Sequence, residues 1–224
     1  MIFSKKTYFI YILSMIVMIF FSYNYVDKTV SYYFIEHANL YKHFGKKISM
    51  IGESHWYIIT AILGALYFTY VKKNSIYTQR FLFLLYANLF SGIISVITKM
   101  LFGRLRPWKL ENGGDGYGFL IAQNPDFTLL ENIKYQISML MQNSTHYTSF
   151  PSGHATTVMA MFTFISLLFP RYIPLWTLIA LVGVGGRILA NDHFISDILA
   201  GTLVGTLSTL YIYSKMKDKI EKNY

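Results

Sequence analysis

Cysteine is absent from the 224 residues, and acidic residues number only 11. Without cysteine there is no disulfide framework, no thiolate metal site and no cysteine nucleophile, although the absence says little about compartment. Charge of either sign is scarce: 14% of residues are charged, against about a quarter in an ordinary soluble domain. The shortage of carboxylates also leaves little from which to build a metal cage. Internal repeats and low-complexity stretches are missing too, which leaves a single domain. What fills the chain is apolar, 54% hydrophobic and 18% aromatic. The apolar residues fall into blocks of about 17–20, the length that crosses a hydrocarbon core of roughly 30 Å. The sequence is that of an integral membrane protein.

Six such blocks are legible, at about 7–26, 55–71, 81–100, 151–169, 172–190 and 194–214. They predict an all-α fold, a six-transmembrane-helix bundle forming one domain over residues 1–224. Lys5 and Lys6 precede the first block as in a signal peptide, but no small-residue cleavage site follows, so it is read as an uncleaved span. From Asp27 to Ser54 the chain mixes aromatic and basic residues, which suits a short interfacial helix or a connecting loop. A long polar segment from Gly103 to Phe150 carries glycines at 113, 114, 116 and 118.

The net charge of +9 does not point to nucleic acid, because most lysines flank apolar blocks. There they set orientation and meet anionic headgroups. The amino end, the loops after spans two and four and the tail hold ten basic residues, and the other side also holds ten. Four of the latter, Lys99, Arg104, Arg106 and Arg187, lie near suspected chemistry. Setting them aside leaves six, so both termini are expected in the cytoplasm and the far ends outside it, in a bacterial inner membrane.

Three short stretches carry the chemistry. Lys99 sits on the last turn of span three with Arg106-Pro107 after it; a lysine there has a functional partner or snorkels to the headgroups. Arg104 adds to the positive field or pairs with lipid phosphate. Ser149 to His154 reads SFPSGH, where a helix start with Ser152 and Gly153 offers exposed amides to an anion. Gly186 to Asp197 reads GRILANDHFISD. His193 and Asp197 share one face if helical, and a carboxylate bonded to one imidazole nitrogen leaves the other as a lone pair. Each stretch alone is also explained by a helix end or a polar hairpin tip. Topology adds an independent constraint, because the end of span three, the start of four, the end of five and the start of six emerge on one side. Three cations, a helix start, two histidines and a carboxylate can therefore converge, and that set suits phosphoryl transfer. A crowd of arginine and lysine opposes a bound cation, so no metal or other cofactor is expected.

Lys99-x6-Arg106-Pro107, Pro151-Ser152-Gly153-His154 and Arg187-x5-His193-x3-Asp197 together resemble the type 2 phosphatidic acid phosphatase (PAP2) superfamily, over about Phe81 to Gly205. The resemblance implies that His193 attacks phosphorus and forms a phosphohistidine, that Asp197 orients it, and that His154 protonates the leaving group. It implies that Lys99, Arg106, Ser152, Gly153 and Arg187 hold the phosphate. One departure stands out: the serine usual before the third motif's arginine is Gly186 here.

The expected substrate is a lipid phosphate monoester or diphosphate: phosphatidate, phosphatidylglycerophosphate, undecaprenyl diphosphate or a lipid A phosphate. A lipid phosphotransferase and a non-catalytic lipid-phosphate binding or transport protein are the alternatives. The chain is expected as a monomer or weak homodimer, with Gly201 and Gly205 packing inside the bundle. His37, His43, His55 and His146 are read as surface or interfacial, and Asn132 to Met141 as a short lid helix that shapes substrate choice. Asn143-Ser144-Thr145 matches a glycosylation sequon with nothing else to support it.

Overall fold

The computed structural model describes residues 4–112 (the backbone alone at 111 and 112), 117–120 and 126–221. The glycines at 113, 114 and 116 and Lys222 of the basic tail lie outside them. Among the described residues there are nine α-helices and no strand. They are α1 (Lys5–Phe21), α2 (Asp27–Glu36), α3 (Ala38–Ser49), α4 (Ser54–Leu66), α5 (Ser75–Phe102), α6 (Leu129–Tyr147), α7 (Gly153–Leu168), α8 (Ile173–Leu189) and α9 (Ile195–Ile220). A π-turn over Ser22–Val26 joins α1 to α2 without a break, so the first helical rod runs on to Glu36, ten residues past the expected end.

Four helical stretches are long and apolar enough to cross a membrane, namely Lys5–Glu36, Ser75–Phe102, Pro170–Leu189 and Ile195–Ile220, with Gly153–Leu168 a shorter apolar helix. Their outward faces are apolar: Phe9, Ile16 and Phe20 on α1, Ile93, Ile97 and Met100 on α5, and Leu178 and Leu181 on α8 are exposed. Exposed apolar belts of this kind are stable in lipid and not in water. The mixed segment after Asp27 forms two helices, α2 and α3, where one short helix or a loop was expected.

Local sequence accounts for the boundaries. Asn74 caps α5 by accepting from the amides of Ile76 and Tyr77, both at 3.2 Å. The same helix stops at Gly103, whose φ of 51° is open to glycine at little cost. Thr128 and Glu131 form a reciprocal capping box on α6, which extends the expected lid helix at both ends. α7 and α9 pack most closely, because Gly201 and Gly205 let α9 lie directly on the α7 backbone. A Cβ at Gly201 would stand 2.5 Å from the Ser152 carbonyl oxygen, and one at Gly205 would stand 2.3 Å from that of Thr156. The expected role of this glycine pair inside the bundle is what the geometry shows.

The apolar core has two parts. Phe83, Phe164 and Tyr213 stack α5, α7 and α9 together toward one end. Ala155, Val158, Ala180, Val184 and Ile198 close the space between α7, α8 and α9 beneath the other. That second cluster is the floor of the polar site.

Candidate active site

Four segments meet above this floor: the end of α5 with Gly103–Arg106, the Thr148–Ser152 turn into α7, the end of α8, and the Ala190–Phe194 turn into α9. Backbone bonds fasten them together. Ser149 N donates to Arg104 O at 3.0 Å, Arg106 N to His146 O at 2.9 Å, and Ser152 N to Asp197 O at 2.9 Å. All eight residues singled out in the three motifs lie on these segments or on the first turn of the helix that follows.

His193 is buried and sits in the turn before α9, not on a helix face with Asp197. Its Nδ1 lies 2.9 Å from the Ser149 carbonyl oxygen and 3.7 Å from Asp197 Oδ2. The expected direct bond to Asp197 is thus replaced: Nδ1–H donates to the Ser149 backbone, and the carboxylate acts on the ring through charge. This pairing assigns the proton to Nδ1 and leaves Nε2 with its lone pair. Burial pushes the His193 imidazole well below the usual histidine range; Asp197 opposes this, while Arg106, Lys99 and Arg187 reinforce it. The ring is therefore neutral at physiological pH.

Asp197 on the first turn of α9 is fully buried and fully used. Oδ2 accepts from Ser149 Oγ at 2.6 Å and Phe194 N at 2.9 Å, and Oδ1 accepts from Arg104 Nη1 at 2.6 Å. The second bond caps α9, which explains why the turn holding His193 is fixed.

Arg104, expected to add to the positive field or to pair with lipid phosphate, is instead held inside the protein. It is 0% exposed and bridges two carboxylates, Asp197 and, through Nη2 at 2.9 Å, Asp27. Tyr23, Tyr117, Phe119 and Phe194 surround it with ring centroids 4.2–5.5 Å from Cζ. Burial acts to lower the guanidinium pKa, but Asp197 and Asp27 outweigh it and hold the group above its ordinary value. Asp27 in turn accepts from Ser22 Oγ at 2.7 Å, from Ser196 N at 3.0 Å and from the Ser196 hydroxyl. Neither Asp27 nor Ser196 was anticipated. A carboxylate at the end of an apolar run is costly and carries a partner, and that signal at Asp27 could have been read.

The phosphate-facing cations are less committed. Lys99 Nζ reaches the Thr148 carbonyl at 2.5 Å and stands beside Gly153, where a Cβ would lie 3.8 Å from Lys99 Cε. Arg106 forms no ion pair among the described residues, and its Nε is buried without an acceptor. Burial lowers its pKa, with Asp192 and Asp197 opposing. Arg187 meets Asp192 at 3.1 Å, and its Nε also lacks an acceptor. Lys99, Arg106 and Arg187 face His154 as well as His193. Ser152 is fully buried, and its hydroxyl caps α7 by accepting from Ala155 N at 3.4 Å. The first-turn amides of Gly153 and His154 have no intrahelical acceptor.

Gly186 has a packing reason. α3 crosses α8 here, and a Cβ at Gly186 would stand 2.8 Å from Gly45 O and 2.9 Å from Ser49 N. Ser49 on that helix places its hydroxyl 3.5 Å from Arg187 Nη1. A hydroxyl therefore stands beside the arginine from a different helix. Among the minor histidines, His55 does find a carboxylate, the half-buried Glu53 at 3.5 Å. Among the described residues no three His, Asp or Glu side chains gather as a metal site would need.

Residues 80–221 match the PAP2 superfamily. The chain is 29% identical over 179 residues to a lipid A 1-phosphatase of Rhizobium johnstonii, covering 75% of this chain and 65% of the relative. It is 28% identical to a lipid A 1-phosphatase of Rhizobium etli, covering 78% and 72%. It is also 28% identical to a lipid A 4'-phosphatase of Porphyromonas gingivalis, covering 72% and 61%. The chain thus spans just under two thirds of the first of these relatives. No solved structure matches.

Proposed function

The chain belongs to the PAP2 superfamily, and on that premise we propose that it is a membrane lipid phosphatase acting on a lipid phosphate monoester or diphosphate through a phosphohistidine. One observation carries the reading: His193 has Nδ1 engaged by the Ser149 carbonyl, so that Nε2 is a buried, neutral lone pair beside three cations. Nε2 forms a bond to phosphorus while the bond to the leaving oxygen breaks; His154, which takes up a proton once the substrate phosphate offsets the surrounding cations, delivers that proton to the leaving oxygen. Lys99, Arg106, Arg187 and the Gly153 and His154 amides hold the equatorial oxygens as their charge grows. Water then attacks the phosphohistidine, giving its proton to His154 and releasing phosphate. Charge, amides and histidines supply each step, so no metal is required.

A lipid substrate is supported by a groove of about 660 Å³ between α4, α5 and α7. Ile58, Leu89, Ile93 and Val96 line it, and it reaches Lys99, Gly153 and His154 at one end. An acyl or prenyl chain in the groove would bring its phosphate to His154. Among phosphatidate, phosphatidylglycerophosphate, undecaprenyl diphosphate and lipid A phosphates, the names of the relatives favour the phosphates of lipid A. In this reading α4 with its following turn and α7 complete six spans, both termini are cytoplasmic, and the site opens to the periplasmic face.

The test is phosphate release in detergent with EDTA over a panel of these lipids, with wild type beside His193→Ala. Release that survives chelation and is lost in the variant is expected. Release that stops with EDTA, or persists in the variant, would end the histidine mechanism.

A further inference from the structure

A second cavity, of about 320 Å³, lies against the same cluster and is lined by Lys42, Lys46, Arg106, Trp108, Thr145 and Asp192. Its character is opposite to that of the apolar groove. Lys42 and Lys46 are one turn apart on α3 and face it together. Both are exposed, and neither forms an ion pair among the described residues. Arg106 is also without a carboxylate partner. The one acid in the lining, Asp192, is taken up by Arg187 at 3.1 Å. Three cations thus face one recess against a single carboxylate that is already paired with Arg187, and Lys109 adds a fourth nearby, 5.2 Å from the Trp108 ring centroid. Like charges gathered in excess of the carboxylate among them repel, and an anion held there relieves that repulsion.

The recess is built rather than incidental. α3 lies directly on α8 beside it, because Gly45 and Gly186 bring the α3 and α8 backbones into contact. On the other wall, Arg106 N is bonded to the end of α6 at His146 O, 2.9 Å away, and Trp108 is set edge-on against the His146 ring at 5.1 Å. Arg106 belongs both to this recess and to the reaction site. The recess is therefore continuous with the position of the scissile phosphate.

We propose that this cavity is a second anion subsite that takes another phosphate on the same lipid headgroup, so that the protein selects headgroups bearing two phosphates over those bearing one. The inference rests on the lipid phosphatase reading and narrows its substrate class. Arg106 holds the scissile phosphate, Lys42 and Lys46 hold the second, and Trp108 offers a flat face to the sugar or glycerol carbons between them.

The experiment compares a diglucosamine glycolipid carrying two phosphates with the same glycolipid carrying only one, using wild type and the Lys42→Gln/Lys46→Gln double variant in neutral detergent. Wild type is expected to show a KM lower by about tenfold for the two-phosphate lipid, the scale of a charge-assisted contact. The double variant is expected to lose that preference with kcat unchanged and with its activity on the one-phosphate lipid intact. An equal loss on both lipids, or a preference that survives, overturns the proposal. Two further arms separate other sources of phosphate. Relief of inorganic phosphate inhibition in the variant would assign the recess to product. Stimulation by added phosphatidylglycerol in wild type alone would assign it to the surrounding bilayer. Either result overturns the proposal. Thermal shift of wild type and variant by the two glycolipids reads the preference without turnover. Failure of the phosphatase reading, seen as no phosphate release from any lipid, is therefore distinct from failure of the subsite, seen as equal shifts.

Discussion

Two arginines leave the end of α5 two residues apart, and their surroundings differ in kind. Arg104 is enclosed by four aromatic rings and bound to two carboxylates, Asp27 from α2 and Asp197 from α9. Arg106 has no carboxylate partner among the described residues and opens onto a recess. Arg104 is a cross-link: it ties α2 and α9 to the α5–α6 connection. Arg106 is a cation that the fold leaves without such a bond, and in the proposed function it serves the ligand. Sequence position and residue type do not separate the two. Only the carboxylate from a distant helix decides which charge is used in the fold and which is left for chemistry.

The largest expected effect comes from reversing these roles in turn. Arg104→Ala would leave Asp27 and Asp197 buried and unpaired, a loss of about 3–5 kcal/mol. It is expected to lower the thermal midpoint sharply in detergent and to abolish activity with it. Arg106→Ala removes no such bond. It is expected to leave the midpoint unchanged while kcat/KM falls about 10²–10³-fold, as for loss of one transition-state donor. Equal midpoints for the two variants would erase the distinction.

Asp27→Asn probes the cross-link from its far side. Arg104 then keeps only Asp197, and the Ser196 amide and hydroxyl keep a neutral acceptor. Part of the network survives, so a loss of about 1–3 kcal/mol is expected, smaller than for Arg104→Ala. Since Asp27 touches no substrate, KM should hold while kcat falls modestly, because Asp197 and the His193 turn lose their fixed position. A rise in KM alone would place Asp27 in binding instead.

How much of this was legible before the structure depends on the range of each contact. Lys99, Arg106, Ser152, Gly153, His154, Arg187, His193 and Asp197 lie in short motifs, and helix topology was enough to bring them to one side. The Asp27–Arg104 pair spans 77 residues and has no periodicity to announce it. The Ser149 carbonyl that replaces Asp197 at His193 is backbone, and no residue type marks a backbone acceptor. Helix lengths shifted at polar ends: α1 continues through a π-turn to α2, and α9 continues into the lysine-rich tail as far as Ile220. Hydropathy marks where lipid begins; helical hydrogen bonding continues beyond it.

Gly186 lies between those cases, since its departure from the motif was legible and its reason was not. Gly186→Ser, which restores the usual residue, would place a Cβ 2.8 Å from Gly45 O and 2.9 Å from Ser49 N. Overpacking against backbone costs about 1–3 kcal/mol. The variant is expected to be less stable and less active than wild type, with Ser49 pushed away from Arg187. A gain in activity would mean that α3 yields easily and that the Ser49 hydroxyl contributes little.

The smallest effect sharpens the comparison through pH. Burial and the three cations hold the His193 pKa well below its ordinary value, and in the proposed mechanism the nucleophile is the neutral ring. The acid limb of kcat/KM that reports His193 in free enzyme is therefore expected well below pH 6.5. Arg106 is among the cations that disfavour the protonated ring, so removing its charge makes protonation easier and raises the His193 pKa. In Arg106→Gln the acid limb of the residual activity should move to higher pH. Asp27→Asn leaves Lys99, Arg106 and Arg187 in place, and its limb should stay near that of wild type. If both limbs moved alike, the field at His193 would come from the whole polar end of the bundle, and the division between cross-linking and ligand-facing arginines would have no electrostatic meaning.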